Sequence, residues 1–482
     1  MAKGTVSGVD TQDALGNVAI GGGAAVGVTT GVGNSIIGCA AGDAITTGKC
    51  NVVLGTNALG AGTTACLNIA IGQLALGAGV LACGGAGQAE GNIAIGESAL
   101  TAVTAGSNNI GMGLTSGDAL TTGTDNVAIG RLALSASPDG ADNIAIGRSA
   151  LAASDGVADC NIAIGLSALG GADVSGLANI AIGALSADAL TTGICNIALG
   201  VNALGASTTG CLNIAIGYGA LGGAITTGVD NFAAGQQTMD ALTSGQSNIA
   251  IGTNALGQST TGCENIAIGG SALGRSDTTG INNIALGNSA MDALTSGHCN
   301  VAIGMNALGA STTGCDNIAI GQLALGAGVV TGKTNIAIGV NAADALTSGM
   351  CNIAIGKNAL GATTASLLSI AIGENALGSG NVSGGYNISF GYSSSAAMTS
   401  GICNIAMGSN ALGASTTGCN NVAIGISALG GAVTTGINNI ALGTNASDAI
   451  TSGLGNIVMG ENAFGQGTTG CLNLALGGTA MG

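Results

Sequence analysis

The 482-residue sequence predicts an all-β fold: a parallel β-solenoid, or β-roll, of 17–18-residue coils grouped into a 52-residue three-coil super-repeat. The motif Asn-x-Ala-x-Gly recurs in exact or near form 27 times, with Gly four residues after the anchor in every copy. A unit of 17–18 residues is too short for a helical hairpin and suits one turn of a solenoid. Composition agrees with the repeat. With 92 glycines, 1% aromatic and 6% charged residues the chain cannot build a thick globular core, and its 47% apolar content argues against disorder.

Residues 1–16 precede the first anchor, Asn17, and read as an N-terminal segment acting as a partial cap or subunit contact. Residues 17–482 read as a single continuous solenoid of 27 rungs. In the stretch TTGCENIAIG (260–269), Asn265 opens a rung. Asn213, Asn265, Asn317, Asn421 and Asn473 occupy one column of the super-repeat, with Ser369 in the same column, and are expected to ladder through their side-chain amides. Alternation along the strand puts two large residues on one face and Ala on the other. On apolar bulk, Ile266 and Ile268 are expected to fill the interior and Ala267 to face outward or toward another subunit. Gly217, Gly269, Gly321, Gly425 and Gly477 then supply the corner. An apolar residue eight positions after the anchor, such as Leu204 or Leu308, is expected on the opposite wall, and TTG or TSG forms the last edge and corner. The step from Asn68 to Asn92 is 24 residues, and its surplus reads as an inserted loop near 81–90.

The pattern N-I-A-I-G, then x-x-A-L, then T-T-G resembles two repeat groups. One is the head repeat of trimeric autotransporter adhesins (YadA-like heads), and the other is the N-x-A-I-G-type repeat of phage and giant-virus tail-fibre proteins. The resemblance runs from Asn17 to Gly477 and implies a β-roll, with trimers packed through the outer faces of the coils. A coiled-coil stalk, an anchor barrel and a self-cleaving C-terminal chaperone domain have no counterpart in this sequence.

Cysteine carries the most chemistry. Cys50 with Cys66, Cys195 with Cys211, Cys299 with Cys315, and Cys403 with Cys419 fall in successive coils. Strand spacing of about 4.8 Å admits inter-coil disulfides there, while their neighbouring offsets also fit small buried hydrophobes at a corner. Zinc-type Cys-x-x-Cys spacing is absent, and no metal or other cofactor is expected. Asp188, Asp240, Asp292, Asp344 and Asp448 lie nine residues after their anchors, too far apart along the stack to pair. His298 is the sole histidine, so no triad with its own base is available, and no enzyme is expected.

A net charge of −16 with seven scattered Lys and Arg argues against nucleic-acid binding. Gly and polar residues interrupt every apolar run, so no membrane span is expected. The N-terminus, MAKGTVSGVD, lacks a signal-peptide core, so the export route is unknown. The sequence therefore points to a structural fibre or filament protein of an extracellular appendage or virion. It would assemble with itself, by end-to-end stacking or by lateral or trimeric packing. The alternative is an adhesin or receptor-binding tail-fibre shaft with a cell-surface receptor as partner. Ice binding is a weaker reading, because only one of two consecutive threonines faces outward on a strand.

Overall fold

The computed structural model describes residues 16–81, 89–154 and 158–481. Most of the N-terminal segment and of the expected loop, residues 1–15 and 82–88, lie outside the described residues. The chain divides into two compact units, Met1–Gly245 and Gln246–Gly482. Each is a parallel β-solenoid, and the described residues contain no helix. Every motif yields one three-residue strand, from β1 (Val18–Ile20) to β13 (Phe232–Ala234) in the first unit and from β14 (Ile249–Ile251) to β27 (Leu474–Leu476) in the second.

Within a unit the strands stay in register although the coils differ in length, because the surplus residues fall outside the strand. β15 (Ile266–Ile268) pairs in parallel with β16 (Ile284–Leu286), joining Ile266 to Ile284, Ala267 to Ala285 and Ile268 to Leu286. Backbone bonding continues around the coil. Leu273 N–H donates to Ala290 O at 3.0 Å, and Thr279 N–H donates to Thr295 O at 2.8 Å. The coil therefore has three walls: the strand, the Ala-Leu turn and the Thr edge.

The anchor asparagines decide which face is inside. Asn265 N–H donates to Asn248 Oδ1 at 3.0 Å, and Asn265 Nδ2 donates to that oxygen at 3.3 Å and to Gly280 O at 2.9 Å. Asn265 Oδ1 in turn accepts from Asn283 N and Nδ2, both at 3.0 Å. Asn213, Asn317, Asn421 and Asn473 make the same upward contact to the preceding anchor. With Asn265 fully buried, strand alternation carries Ala267 inward and turns Ile266 and Ile268 outward. This corrects the expected orientation: Ala267 is 0% exposed and Ile268 is 38% exposed. A buried amide bonded on every side cannot face water without giving up those bonds, and the strand follows the amide.

The interior is correspondingly thin. Ala267, Ala272 and Leu273 are all fully buried in one coil, and Leu204 and Leu308 fill the opposite wall of theirs. Leu273 holds a left-handed backbone with φ of 50°. That conformation costs about 1–2 kcal/mol, and burying the leucine side chain contributes about 1.5–3 kcal/mol, so burial offsets the strain. At Gly269, φ is 134° and an added Cβ would stand 2.5 Å from Gly287 O, so both the backbone angle and the neighbouring rung require glycine.

The third wall explains the three-coil super-repeat. From Asn161 the coils run 18, 17 and 17 residues, and the buried third-wall residue cycles with them. In the second unit it is Thr278, Leu294 and Ser311 in successive coils, each fully buried. The hydroxyls tie the cycle together. Ser259 Oγ donates to Thr278 O at 2.6 Å, Thr278 Oγ1 to Leu294 O at 2.9 Å, and Ser311 Oγ to Val330 O at 3.0 Å. The extra residue of the 18-residue coil lies ahead of its third-wall residue.

Candidate functional site

The most extensive candidate surface is the outer face of the strand wall. In the second unit Ile249, Ile251, Ile268, Ile303, Ile338 and Ile424 are each 36–40% exposed. Residues two before the anchor extend the apolar stripe with Ile281, Met350, Ile402 and Ile437, all exposed. The first unit carries the same stripe with Ile182, Ile194 and Ile216. A contiguous apolar patch above a few hundred Å² is unusual on a solitary soluble protein and marks an interaction surface. The Thr edge differs. Thr191, Thr295 and Thr347 spend their Oγ1 on the Thr208, Thr312 and Thr364 carbonyls at 2.9–3.0 Å, and the residue that follows each is Thr192, Ser296 or Ser348.

Most of the described cysteines occupy two adjacent columns, one and two positions before the anchor, and Cys39 lies outside both. Residues two before the anchor stack on one another, as in the bridges of Lys49 with Cys66 and of Cys315 with Lys333. Cys50, Cys195, Cys299 and Cys403 stand one position later, in left-handed backbone, with their side chains exposed. Cys211, Cys315 and Cys419 turn their sulfurs to the carbonyls of Thr209, Thr313 and Thr417 at 3.3–3.4 Å. The expected inter-coil disulfides are therefore corrected: Cys50, Cys195, Cys211, Cys299, Cys315, Cys403 and Cys419 are free thiols. Cys66 is disulfide-bonded, and its partner is not Cys50.

In the aspartate column Asp188, Asp240 and Asp344 are half-buried and Asp292 is buried. Asp188 accepts from the backbone N–H of Gly171 in the preceding coil, and Asp240 accepts from Gly223 in the same way. A Cβ on Gly171 would stand 2.6 Å from the Asp188 carboxylate, so glycine there lets the side chain lie close over the preceding coil. Burial raises the pKa of the Asp118, Asp188, Asp240 and Asp344 carboxyls above the ordinary aspartate value, against the opposing pull of backbone bonds. Asp292 has Arg275 in place of that glycine and pairs with it at 3.2 Å.

One cluster joins residues that the sequence reading kept apart. His298, Cys299 and Asp316 each present a possible ligand atom, and these atoms lie within 4.8 Å of one another. His298 and Cys299 precede the anchor Asn300, while Asp316 stands one coil later in the same column as Cys299. The backbone fixes the stagger, with Asp316 N–H donating to His298 O at 3.0 Å. The only signal in sequence is that the sole histidine adjoins Cys299, with an acid 17 residues after that cysteine.

Among the described residues no helix is long and apolar enough to cross a membrane. No protein-family model matches the chain, and no curated protein matches it.

Proposed function

We propose that the chain is a structural protein, the body of a fibre or filament formed from copies of itself, with no catalytic role. The observation that carries this reading is the outward stripe of branched apolar side chains on the strand wall of each unit. Lateral packing of copies through that wall removes the stripe from water, and a stable interface of about 1,200–2,000 Å² needs only part of its length. The Asn ladder and the in-register backbone bonds make each rung stiff, as a load-bearing shaft requires. The resemblance to tail-fibre and adhesin-head repeats supports the same role, with lateral or trimeric packing and a place on an extracellular appendage or virion.

Sedimentation at a series of concentrations, with electron microscopy of the same samples, tests the proposal. The expected result is a multimer that persists on dilution, seen as rods or bundles thicker than one chain. A monodisperse monomer throughout the micromolar range would overturn it. End-to-end filaments one chain thick would move the contact from the strand wall to the terminal coils.

A further inference from the structure

We infer that His298, Cys299 and Asp316 form a binding site for one borderline-soft divalent cation of the zinc class. The three side chains offer an imidazole nitrogen, a sulfur and a carboxylate oxygen, with ligand atoms within 4.8 Å of one another. Zinc takes this mixed donor set at bond lengths of about 2.0–2.3 Å, commonly in four-coordinate geometry with water in an open position. All three residues are exposed, so small side-chain rotations draw the donors onto an ion while the backbone stays in place.

Their placement follows from the coil. The residues directly before the anchors, Cys299 and Asp316, both hold left-handed backbone, with φ of 57° and 59°. Parallel stacking therefore projects the sulfur and the carboxylate in the same direction, one rung apart. His298 comes from the neighbouring column, where its carbonyl accepts the Asp316 N–H. Cys315 stacks next to His298 but turns its sulfur to Thr313 O, which leaves Cys299 as the thiol that faces the imidazole. Elsewhere the corresponding triplets lack the set, as in Ile194, Cys195 and Leu212, or Met350, Cys351 and Leu368.

Binding converts the Cys299 thiol to a zinc-bound thiolate and releases its proton to solvent, with no change in oxidation state. The sole histidine makes the site directly observable. With histidine labelled in the full-length, reduced protein, nuclear magnetic resonance reports the His298 ring alone while Zn²⁺ is added. The ring signals are expected to shift and saturate at one equivalent, and Co²⁺ is expected to give a thiolate-to-metal charge-transfer band. Three substitutions use residues that other coils already carry at the matching positions: His298→Gln as at Gln246, Cys299→Ser as at Ser247, and Asp316→Asn as at Asn282. Cys299→Ser and Asp316→Asn should each weaken the affinity read at His298 by tenfold or more, and His298→Gln should abolish one equivalent of tight Zn²⁺ uptake. An unmoved ring signal, or an affinity unchanged by Cys299→Ser, would overturn the assignment and place zinc on other thiols.

Discussion

Asp188, Asp240 and Asp344 show how the fold treats a single unfavourable residue. Each carboxyl is half-buried against the preceding coil, and burial raises its pKa above the ordinary aspartate value. A raised folded-state pKa means that the native chain holds a proton the unfolded chain has released. Stability is therefore greatest below the unfolded aspartate pKa of about 3.9 and falls as pH rises toward the raised folded value. Above that value the loss is complete and constant. Replacing all three with asparagine keeps an acceptor for Gly171 N–H and Gly223 N–H while removing the titration. Unfolding midpoints measured from about pH 3.5 to 7 should fall less steeply in that variant than in the parent chain. An unchanged slope would show that the burial of these carboxyls does not matter to folding. Asp292, which faces Arg275 at 3.2 Å, is left in place as the paired member of the column. The aspartate spacing was legible in sequence, but its burial was not, because it depends on how each carboxyl lies against the neighbouring coil.

At the scale of one rung, the ladder is a unit that can be swapped as a unit. Ser369 stands where every other coil has an anchor asparagine, and its N–H still donates to Asn352 Oδ1 at 3.0 Å. What serine cannot do is reach the carbonyl three residues before the next anchor. Ser366 does it instead, with its Oγ 3.2 Å from Gly384 O and 2.9 Å from Ser369 Oγ. The two hydroxyls together replace one amide. Ser369→Asn alone crowds an amide against the Ser366 hydroxyl, and Ser366→Gly alone strips Gly384 O of that bond. The double variant rebuilds the rung found in the neighbouring coils. A double-mutant cycle by denaturant unfolding should therefore show favourable coupling of about 1–3 kcal/mol; additive effects would contradict the shared role. Sequence alignment exposed Ser369 as an exception, and the columns of Asn and Gly were readable because each coil repeats them. The compensating Ser366 was not readable, since its meaning lies in a bond across 18 residues to Gly384. The 52-residue period was likewise visible as arithmetic, while its cause, the cycling third wall of Thr278, Leu294 and Ser311, needed the coil to be closed.

For the whole molecule the decisive fact is the placement of isoleucine. Alternation in I-A-I defines two faces without saying which is inside, and apolar bulk favours the wrong one. The amide ladder settles the choice, and the consequence is a chain of net charge −16 that turns much of its branched apolar surface to the outside. If copies pack through that wall, charge introduced there is buried only in the assembly, where each unpaired ion costs several kcal/mol after relaxation (roughly, from desolvation alone). Ile251, Ile268 and Ile303 are suitable positions, since each is 37–39% exposed and none contributes to the fully buried interior. Substituting all three with lysine leaves the Asn ladder and the Ala and Leu core untouched, so the circular dichroism spectrum and unfolding midpoint should stay close to those of the parent chain. Self-association should be lost, with the sedimentation coefficient dropping to that of the single chain. Lysine at Thr261, Ser296 and Thr313, exposed residues of the Thr edge, adds the same charge on another wall and should leave assembly intact. Assembly that survives the isoleucine substitutions, or fails equally with both sets, would remove the strand wall as the contact between copies.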